Sequence, residues 1–555
     1  MAIERLSPGT HQNDDRRFIV IVLLIELAAI LILCSFFFHD RLEDSYITFR
    51  YAKHLAQGYG IGAWNTTGEK VEGFSSPGMM LILAAAGSIG LDIEISSKII
   101  GILSFSALCM LLLYLAYFKP QAIIKHISPQ TLILASMLVT LYLPVAWYAG
   151  SGMETVVFAL LTTSCLLISF GLIDKAVFVV PCFLTAIFRP EGIPFVLLLF
   201  LWHIYLNYRD KPRRNKVVLN LALFLTLIII MFVIRFLIFR DFLPNTYYAK
   251  LYGGGWNHIV FGLRDIYHWA LTNPIWLAAF MIVLLSEIRS YVKNNRLFNP
   301  LIALLLVVQL AALGYNVLIG GDNPAAFPFW RHQIHIIAIE ALLVGLAVQL
   351  IIPRLKSLQI VAIILIALFG NFRVFDIYES RLISDLKKGL ADWPRFAIDP
   401  PLKYDTWLKE FVTPHTTIAC ANAGELPFVV DAIHIDLLGL NDRYIARHGQ
   451  FDPDGPVDSK TDMDYVLSQR PDIISLMYAK FVKEGRDKYH QARFRKKLIW
   501  GLIENKIFQD EYLFLWNGPY ENFERALFLH KAYWENHPLR DSLICIPVIE
   551  TGICR

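Results

Sequence analysis

Long apolar runs recur through the first 375 residues and constrain the fold of this chain more than any other feature. Eleven runs approach the roughly 20 residues that a helix needs to cross a bilayer. They lie near residues 17–38, 77–90, 96–117, 130–149, 153–173, 176–206, 217–239, 271–288, 301–319, 333–351 and 357–374. The sequence therefore predicts a polytopic α-helical membrane protein with about eleven transmembrane helices. A soluble globule is excluded, because 56% of the 555 residues are hydrophobic, against roughly 45–50% in soluble domains.

Charged residues are concentrated in the last third of the chain. Residues 376–555 hold 50 of the 98 charged side chains. Short β-like runs, such as Thr417–Cys420 and 428–430, alternate there with helical stretches. We therefore expect two domains: a transmembrane module over 1–375 and a soluble α/β or α+β domain over 376–555.

The topology predicts which side of the membrane each part occupies. An odd number of crossings from a cytoplasmic N-terminus places 376–555 and the first outer loop, 39–76, on the extracytoplasmic side. Basic clusters at 208–216, 289–296 and 353–356 then fall on the cytoplasmic side, as the positive-inside rule requires. A net charge of only +4 gives no indication of nucleic acid as a partner.

Three features are left open by the sequence. The topology of residues 39–130 is one of them, because the run 77–90 is short enough to be re-entrant and Lys119 and Lys125 would lie outside on a strict count of eleven helices. The run 176–206 is interrupted at 189–192 and is either one broken helix or two half-helices. Cys545 and Cys554 could form a disulfide in an oxidising compartment or be free thiols.

An acidic pair, Glu43 and Asp44, follows directly after the first membrane helix. A carboxylate beside apolar walls can gain proton affinity through desolvation, which suits a general base. The alternative is that Glu43 and Asp44 belong to an ordinary solvated acidic loop. Glu72, in the same outer loop, is a candidate ligand for substrate hydroxyls, or else only a cap or surface residue. With Asp322, the acidic pair could hold a divalent cation if the fold brings the three carboxylates together.

Ionisable residues also lie within or beside the apolar runs. Glu154, Arg189 and Glu191 are the principal examples. Such residues are costly in lipid, so they either mark a functional cavity or pair with one another to hold helices together. The sequence leaves both alternatives open.

Two later outer loops place cations among aromatic residues. Their candidate residues are Asn245, Tyr248 and Lys250 in the first loop, and Asp322, Arg331 and His332 in the second. A cation at this depth suits a lipid-linked phosphate. Ordinary interfacial anchoring by an aromatic belt is the alternative.

Seven short strings occur in a fixed order along the chain. They are EDSYITFRYA (43–52), VEGF (71–74), SGMET (151–155), RPEG (189–192), PNTYYAK (244–250), GGD (320–322) and DLLGLNDRYIAR (436–447). Together they resemble the C-type membrane glycosyltransferases, in particular the branch that contains the mycobacterial terminal β-(1→2) arabinofuranosyltransferase.

The resemblance implies a glycosyltransferase at the bacterial inner membrane, with its active site on the extracytoplasmic side. The donor would be a sugar, first of all arabinofuranose, on a polyprenyl-phosphate carrier. The acceptor would be a cell-envelope glycan or a surface protein. No nucleotide cofactor is implied, and a divalent cation is left open.

The resemblance also implies roles for individual residues. The family's acidic pair maps onto Glu43 and Asp44, with Asp44 as the general base; the family usually has Asp-Asp, so Glu43 is a departure. Lys250 and Arg331 would face the phosphate. The other candidate substrate-binding residues are Arg50, Glu72, Glu154, Arg189, Glu191, Asn245, Tyr248, Asp322 and His332.

A non-enzymatic membrane transporter or lipid-sugar flippase is the alternative function. It would share the many helices and the intramembrane charges. A transporter should carry its charges near the bilayer midplane, whereas most of the candidates here are expected at the outer boundary. This difference favours the enzyme.

Overall fold

The chain forms two compact units in a computed structural model, and each unit is discontinuous in sequence. The helical unit comprises Met1–Asp40, Glu94–Ile230 and Val260–Ile398, and the sheet unit comprises Arg41–Ile93, Met231–Ile259 and Asp399–Arg555. The structure describes residues 8–118, 127–169, 178–252, 255–295, 297–321, 330–352, 403–451, 460–477, 479–481, 489–491, 501–502, 504–515, 525–543 and 545–547. The predicted domain boundary at 375/376 and the partner thiol Cys554 lie outside these residues.

Before residue 352 all regular secondary structure in the described residues is helical. They are α1 (Pro8–Phe37), α2 (Glu43–Ala56), α3 (Pro77–Ser88), α4 (Ile93–Phe118), α5 (Pro129–Leu141), α6 (Leu143–Gly150), α7 (Thr155–Ser169), α8 (Val179–Phe188), α9 (Gly192–Leu206), α10 (Lys211–Phe239), α11 (Asn245–Lys250), α12 (Gly255–Thr272), α13 (Pro274–Asn294), α14 (Pro300–Ile319), α15 (Arg331–Ile334) and α16 (Ile337–Ile351).

Five helices of the described part are long and apolar enough to cross a membrane. They are Arg17–Phe37 of α1, α4, α10, Pro274–Lys293 of α13, and α14. Helices α5 and α6 qualify as a pair, bent by 57°. Helices α3, α7, α8, α9 and α16 are apolar but have only 10–17 residues, and a helix of that length rises about 15–25 Å, less than the roughly 30 Å of a hydrocarbon core. The expected count of eleven spans is therefore not confirmed, and the run 357–374 lies outside the described residues.

The interrupted run 176–206 forms two helices, α8 and α9. Pro190 has no N–H to donate and disfavours a helical conformation at the residue before it, and Arg189 is extended accordingly. The turn is tight, because a Cβ at Gly192 would lie 2.3 Å from the Thr185 carbonyl oxygen. Of the two alternatives left open by the sequence, the structure has the pair of half-helices.

Helix α16 lies at the centre of the helical unit. Its residues from Ile337 to Ala347 are all buried, as expected for a helix that is apolar on every side. It packs against α5 and α13. Since α15 precedes it by only two residues, this packing also fixes the position of the polar residues on α15.

The last third of the chain supplies a mixed α/β fold to the sheet unit. Its described elements are α17 (Lys403–Phe411), β1 (Thr417–Cys420), α18 (Glu425–Val429), β2 (Ile433–Asp436), α19 (Arg443–His448), β3 (Gln450–Phe451), β4 (Lys460–Thr461), α20 (Met463–Ser468), β5 (Ile473–Met477), β6 (Ala479–Phe481), β7 (Tyr489–Gln491), α21 (Lys506–Glu511), β8 (Tyr512–Leu515), β9 (Arg525–His530), α22 (Lys531–Glu535) and β10 (Cys545–Pro547).

The main sheet has six strands in the order β10-β8-β9-β5-β1-β2. Strand β1 is parallel to β2 and β5, whereas β5–β9, β9–β8 and β8–β10 are antiparallel pairs. Alternate residues of the strands face two apolar clusters: Ala419 and Ile474 belong to one, and Ile418 and Ile473 to the other. Successive residues of a strand point to opposite faces of the sheet, so apolar side chains cover both faces of this sheet.

Two local predictions in this region are wrong. Residues 428–430 lie in and after helix α18, not in a strand, because Pro427 has no N–H for a sheet ladder and the Phe428 N–H donates to the Gly424 carbonyl instead. The sequence also suggests a helix over 484–508, but strand β7 occupies residues 489–491. Residues 506–508 do begin helix α21, and 484–488, 492–500 and 503 lie outside the described residues.

Candidate functional site

The acidic pair lies on the first turn of helix α2 rather than in a loop. Carboxylates are favourable at this position, because the N-terminus of a helix carries a partial positive charge. The helix is largely buried and packs against α3 and α18, all within the sheet unit. The acidic pair is therefore held on a packed element.

Glu43 and Asp44 have different surroundings although they are adjacent. The Glu43 carboxylate accepts hydrogen bonds from the backbone N–H of Gly424, at 2.8 Å, and of Glu425, at 3.2 Å. It thereby holds the start of α18 against α2. Asp44 is half-buried beside it.

Arg50 belongs to the predicted substrate-binding set, but protein groups enclose its guanidinium. The side chain is 2% exposed. Its Nε donates to the Trp64 carbonyl at 2.5 Å, and Nη1 donates to the Pro427 carbonyl. Nη2 donates to the Ala432 carbonyl and to Asn65 Oδ1, both at 3.3 Å. These bonds connect α2 with two segments that are distant in sequence.

The strings at 71–74 and 436–447 meet beside α2. The Tyr51 hydroxyl donates to Asn441 Oδ1 at 2.9 Å and accepts from the Gly73 N–H at 3.2 Å. A Cβ at Gly73 would lie 1.9 Å from Asn441 Oδ1, so only glycine fits this approach.

Asp436 organises the turn that presents Asn441. It accepts from the backbone N–H of Leu438 at 2.9 Å and from the N–H and Nδ2 of Asn441 at 2.8 and 3.0 Å. Desolvation nevertheless raises the pKa of Asp436 from 3.8 to about 6, against the lowering effect of these hydrogen bonds.

Glu72 forms a buried two-pronged ion pair with Arg235, which the sequence analysis did not single out. Arg235 Nε lies 2.7 Å from Glu72 Oε2, and Nη2 lies 3.0 Å from Oε1. Desolvation raises the pKa of Glu72, although Arg235 acts in the opposite direction. A single arginine near the end of the apolar run 217–239 was the only sequence signal for this pair.

Asn245 links the loop after α10 to the 436–447 string. Its Nδ2 donates to the carbonyls of Gly439, Leu440 and Asp442 at 2.9, 3.0 and 3.3 Å. Its N–H donates to the Glu72 carbonyl at 2.9 Å. Asn245 thus uses its side-chain amide and its backbone N–H for hydrogen bonds within the protein.

A cationic cluster follows Asn245 in the sheet unit. The Arg447 guanidinium lies over the Tyr248 ring, 4.3 Å from its centroid, and forms an ion pair with Asp241. Buried Lys460 donates to the carbonyls of Tyr248 and Ala446 at 2.7 and 2.9 Å. Burial lowers the pKa of Lys460. The sequence analysis missed Lys460, which no motif marks.

Lys250 ends helix α11 and is half-buried. Among the described residues its ammonium has no hydrogen bond or ion pair, although its backbone carbonyl interacts with His258 Nε2 at 2.6 Å. Lys250 therefore carries donors that the described residues do not engage.

A second polar cluster lies in the helical unit, at the break between α8 and α9. Arg189 Nη1 lies 2.5 Å from Glu154 Oε1, and Arg189 Nε lies 2.5 Å from Glu191 Oε1. Both ion pairs that the sequence left open as structural links are thus present. The Tyr315 hydroxyl donates to Glu191 Oε2 at 3.3 Å.

Two histidines approach the same glutamate. The Nδ1 atoms of His332 and His335 lie 3.7 and 3.4 Å from Glu191 Oε1. One ligand atom from each of the three residues falls within 4.8 Å of the others, and all three residues are buried. His335 was missed, and its only signal was its spacing of three residues from His332, which places two helical side chains on one face.

The predicted cation-binding carboxylates do not form this group. Glu43 and Asp44 belong to the sheet unit, and Asp322 lies outside the described residues. Arg331, expected to face the phosphate, is 8% exposed at the start of α15 in the helical unit. Trp330, just before it, has φ +47°, which is rare for a bulky residue.

Solved structures of membrane proteins share the fold of this chain. ArnT from Cupriavidus metallidurans in the apo state matches with a TM-score of 0.54 and 11% identity, covering 92% of this chain and 98% of that one. The Archaeoglobus fulgidus oligosaccharyltransferase in the apo form matches with a TM-score of 0.53 and 12% identity, over 90% and 80%. ArnT bound to undecaprenyl phosphate gives 0.53 and 10%, over 92% and 97%. The likeness is one of fold.

Comparison of the sequence with known families and curated proteins identifies no activity. Residues 396–520 match the family model of a domain of unknown function (DUF8728). No curated protein matches the sequence. The chain thus shares its fold with ArnT and with the archaeal oligosaccharyltransferase, whereas the expected C-type glycosyltransferase activity and its arabinofuranosyltransferase branch stay predictions.

Proposed function

We propose that this chain is a membrane glycosyltransferase that takes a sugar from a polyprenyl-phosphate carrier. The observation that carries the proposal is the likeness of fold to ArnT and to an oligosaccharyltransferase over at least 90% of the chain. One of the matching ArnT structures is bound to undecaprenyl phosphate, which supports a lipid-linked donor here.

The reaction needs a base and a cation on opposite sides of the sugar. The acceptor hydroxyl oxygen attacks the anomeric carbon, the bond from that carbon to the phosphate oxygen breaks, and the carrier leaves as polyprenyl phosphate. The hydroxyl proton goes to the base, and a cation stabilises the charge that develops on the phosphate. The donor already carries the energy-rich bond, so no nucleotide is needed.

We assign the base to Asp44 and the phosphate-side cation to Lys250, both in the sheet unit; the expected role of Arg331, in the helical unit, stays a prediction. Asp44 is half-buried on a packed helix, beside a glutamate that is occupied by backbone donors. Lys250 belongs to the same unit and carries donors that no described residue engages.

The contacts favour positioning roles for several other members of the predicted substrate-binding set. Arg50 and Asn245 donate to backbone carbonyls, and Glu72 is occupied by Arg235. In the helical unit, the Glu154–Arg189 pair fixes the break between α8 and α9. Roles for His332 and Asp322 toward the substrate stay predictions.

The finer parts of the proposal follow the sequence resemblance. Arabinofuranose is the first sugar to test, and a cell-envelope glycan or a surface protein is the acceptor. The bacterial inner membrane, with the site on the extracytoplasmic side, is the proposed location.

The decisive experiment compares Asp44→Asn with the wild type, using a polyprenyl-phosphoryl pentose donor and an envelope-glycan acceptor. Loss of a general base should reduce the rate about 10²–10⁴-fold, while the protein stays inserted and keeps its thermal transition. The exposed Asp510→Asn is the matched control and should transfer at the wild-type rate.

Two results would contradict the proposal. Transfer at the wild-type rate by Asp44→Asn would remove the assignment of the base. Movement of the lipid-linked sugar across vesicles by the wild type, with no new glycosidic bond on any acceptor tested, would favour the flippase.

A further inference from the structure

We propose that Glu191, His332 and His335 form a binding site for a divalent transition metal in the helical unit. One carboxylate oxygen and one nitrogen from each imidazole lie within 4.8 Å of one another, and the three side chains are buried. This set differs from the carboxylates considered in the sequence analysis. The inference does not rest on the proposed transferase activity.

The separations match the geometry of a bound metal better than that of a hydrogen bond. Ligands about 2.1 Å from a tetrahedral zinc ion are about 3.4 Å apart. His335 Nδ1 lies 3.4 Å and His332 Nδ1 3.7 Å from Glu191 Oε1. A good hydrogen bond between nitrogen and oxygen would be about 2.7–3.2 Å. A metal can therefore enter with small adjustments of the two rings.

The ligand types select the class of metal. Two imidazoles and one carboxylate suit zinc and neighbouring first-row transition metals, whereas magnesium and calcium prefer oxygen ligands. Three protein ligands are also the number that zinc sites with an open position use. We commit to zinc as the first metal to test.

The surroundings hold the three ligands in place. Glu191 lies in the turn between α8 and α9 and is oriented by Arg189, at 2.5 Å, and by the Tyr315 hydroxyl, at 3.3 Å. A carboxylate has about four lone-pair sites, so it can accept from both residues and still bind a metal. Residues that orient metal ligands in this way strengthen metal binding.

The test measures metal in the full-length protein, purified in detergent through a tag without histidine. After incubation with zinc chloride and desalting, mass spectrometry of the metal should find about one zinc per chain in the wild type, as expected for one three-ligand site. Glu191→Gln and His335→Ala should each lose most of it. The control His268→Ala removes an exposed imidazole and should retain the zinc.

Spectroscopy of the wild type keeps the test independent of how the variants fold. Cobalt should give the visible absorption of a tetrahedral site, and added zinc should remove it. X-ray absorption at the zinc edge should detect two imidazole nitrogens. Zinc at background level in the wild type, or full retention by folded Glu191→Gln and His335→Ala, would overturn the inference. Sugar transfer is not part of either measurement, so the proposed function can fail separately.

Discussion

Replacing Arg50 with alanine should loosen the helix that carries the acidic pair. Three of the Arg50 hydrogen bonds go to the backbone carbonyls of Trp64, Pro427 and Ala432. Hydrogen bonds to a charged group contribute about 1.5–3 kcal/mol each. Because such contributions are not additive, and because removing the guanidinium also removes the cost of its burial, we expect a net loss of about 3–5 kcal/mol.

This loss can be measured as a thermal shift. For units of about 150–250 residues, 1 kcal/mol corresponds to about 2–4 °C, so the transition of the sheet unit should fall by roughly 10 °C. Scanning fluorimetry of the protein in detergent would record it. Amides of α2 should also exchange with solvent faster in Arg50→Ala, because this helix would lose its connection to residues 427–432.

The matched control lies one turn along the same helix. Among the described residues Lys53 donates one hydrogen bond, to the Phe428 carbonyl at 3.2 Å. Because this bond is long and the side chain only half-buried, Lys53→Ala should cost about 1.5 kcal/mol, the lower end of the range for a charged donor. If Arg50→Ala melts within a few degrees of Lys53→Ala and α2 exchanges as in the wild type, the argument that Arg50 joins these segments is refuted.

Three further changes test other parts of the site. Lys250→Ala should raise the KM for the lipid-linked donor about 10–100-fold with little effect on the acceptor KM, since one charge-assisted contact contributes about 1.5–3 kcal/mol. Initial-rate measurements would determine both KM values, with Lys70→Ala at an exposed lysine as the control. The pKa of Asp436 is raised to about 6. Between about pH 4 and 6 the folded protein therefore binds more protons than the unfolded one. The free energy of unfolding should accordingly rise by up to ~3 kcal/mol as the pH falls through this window. Asp436→Asn should flatten that pH dependence of the melting temperature. Gly73→Ala should destabilise the protein by about 1–3 kcal/mol, because its Cβ would meet Asn441 Oδ1 at 1.9 Å.

Each of these has an outcome that would contradict it. An unchanged donor KM in Lys250→Ala would remove the phosphate assignment. A melting temperature of the wild type that falls between pH 6 and 4 as steeply as that of Asp436→Asn would contradict the shifted carboxyl. A Cβ added at Gly314 would meet no described heavy atom within 4 Å, so Gly314→Ala is the control for Gly73→Ala; equal melting of the two variants would show that the close approach is relaxed at no cost.

The sequence predicted the helical character of the chain well, because spanning and buried helices both require apolar runs. It predicted the break at Arg189 and Pro190 for a reason that is local: proline acts on the residue before it. The count of eleven spans stays a prediction, since the length of an apolar run does not say where a turn will divide it. The run 130–149, for example, yields α5 and α6, which are bent by 57° relative to each other.

The candidate site was predicted less completely, because its contacts join residues far apart in the chain. Glu72 and Arg235 are 163 residues apart, and nothing near either residue specifies the other. Arg50 was expected to bind substrate because it lies in the string 43–52 that carries the family resemblance, whereas the structure surrounds it with carbonyls. His335 was overlooked because its spacing of three residues from His332 is a weak signal by itself, and its relation to Glu191 depends on how the helices pack.

The sheet unit is assembled from pieces made at very different times during synthesis. Arg50 and Pro427 are separated by 377 residues, which a ribosome needs about 20–75 s to translate at roughly 5–20 residues per second. For that interval the acidic pair exists in a nascent chain without the segments that hold it. A messenger truncated before the codons for residues 424–441 would therefore yield a polypeptide in which Glu43 and Arg50 lack the backbone partners that hold α2 in the complete chain.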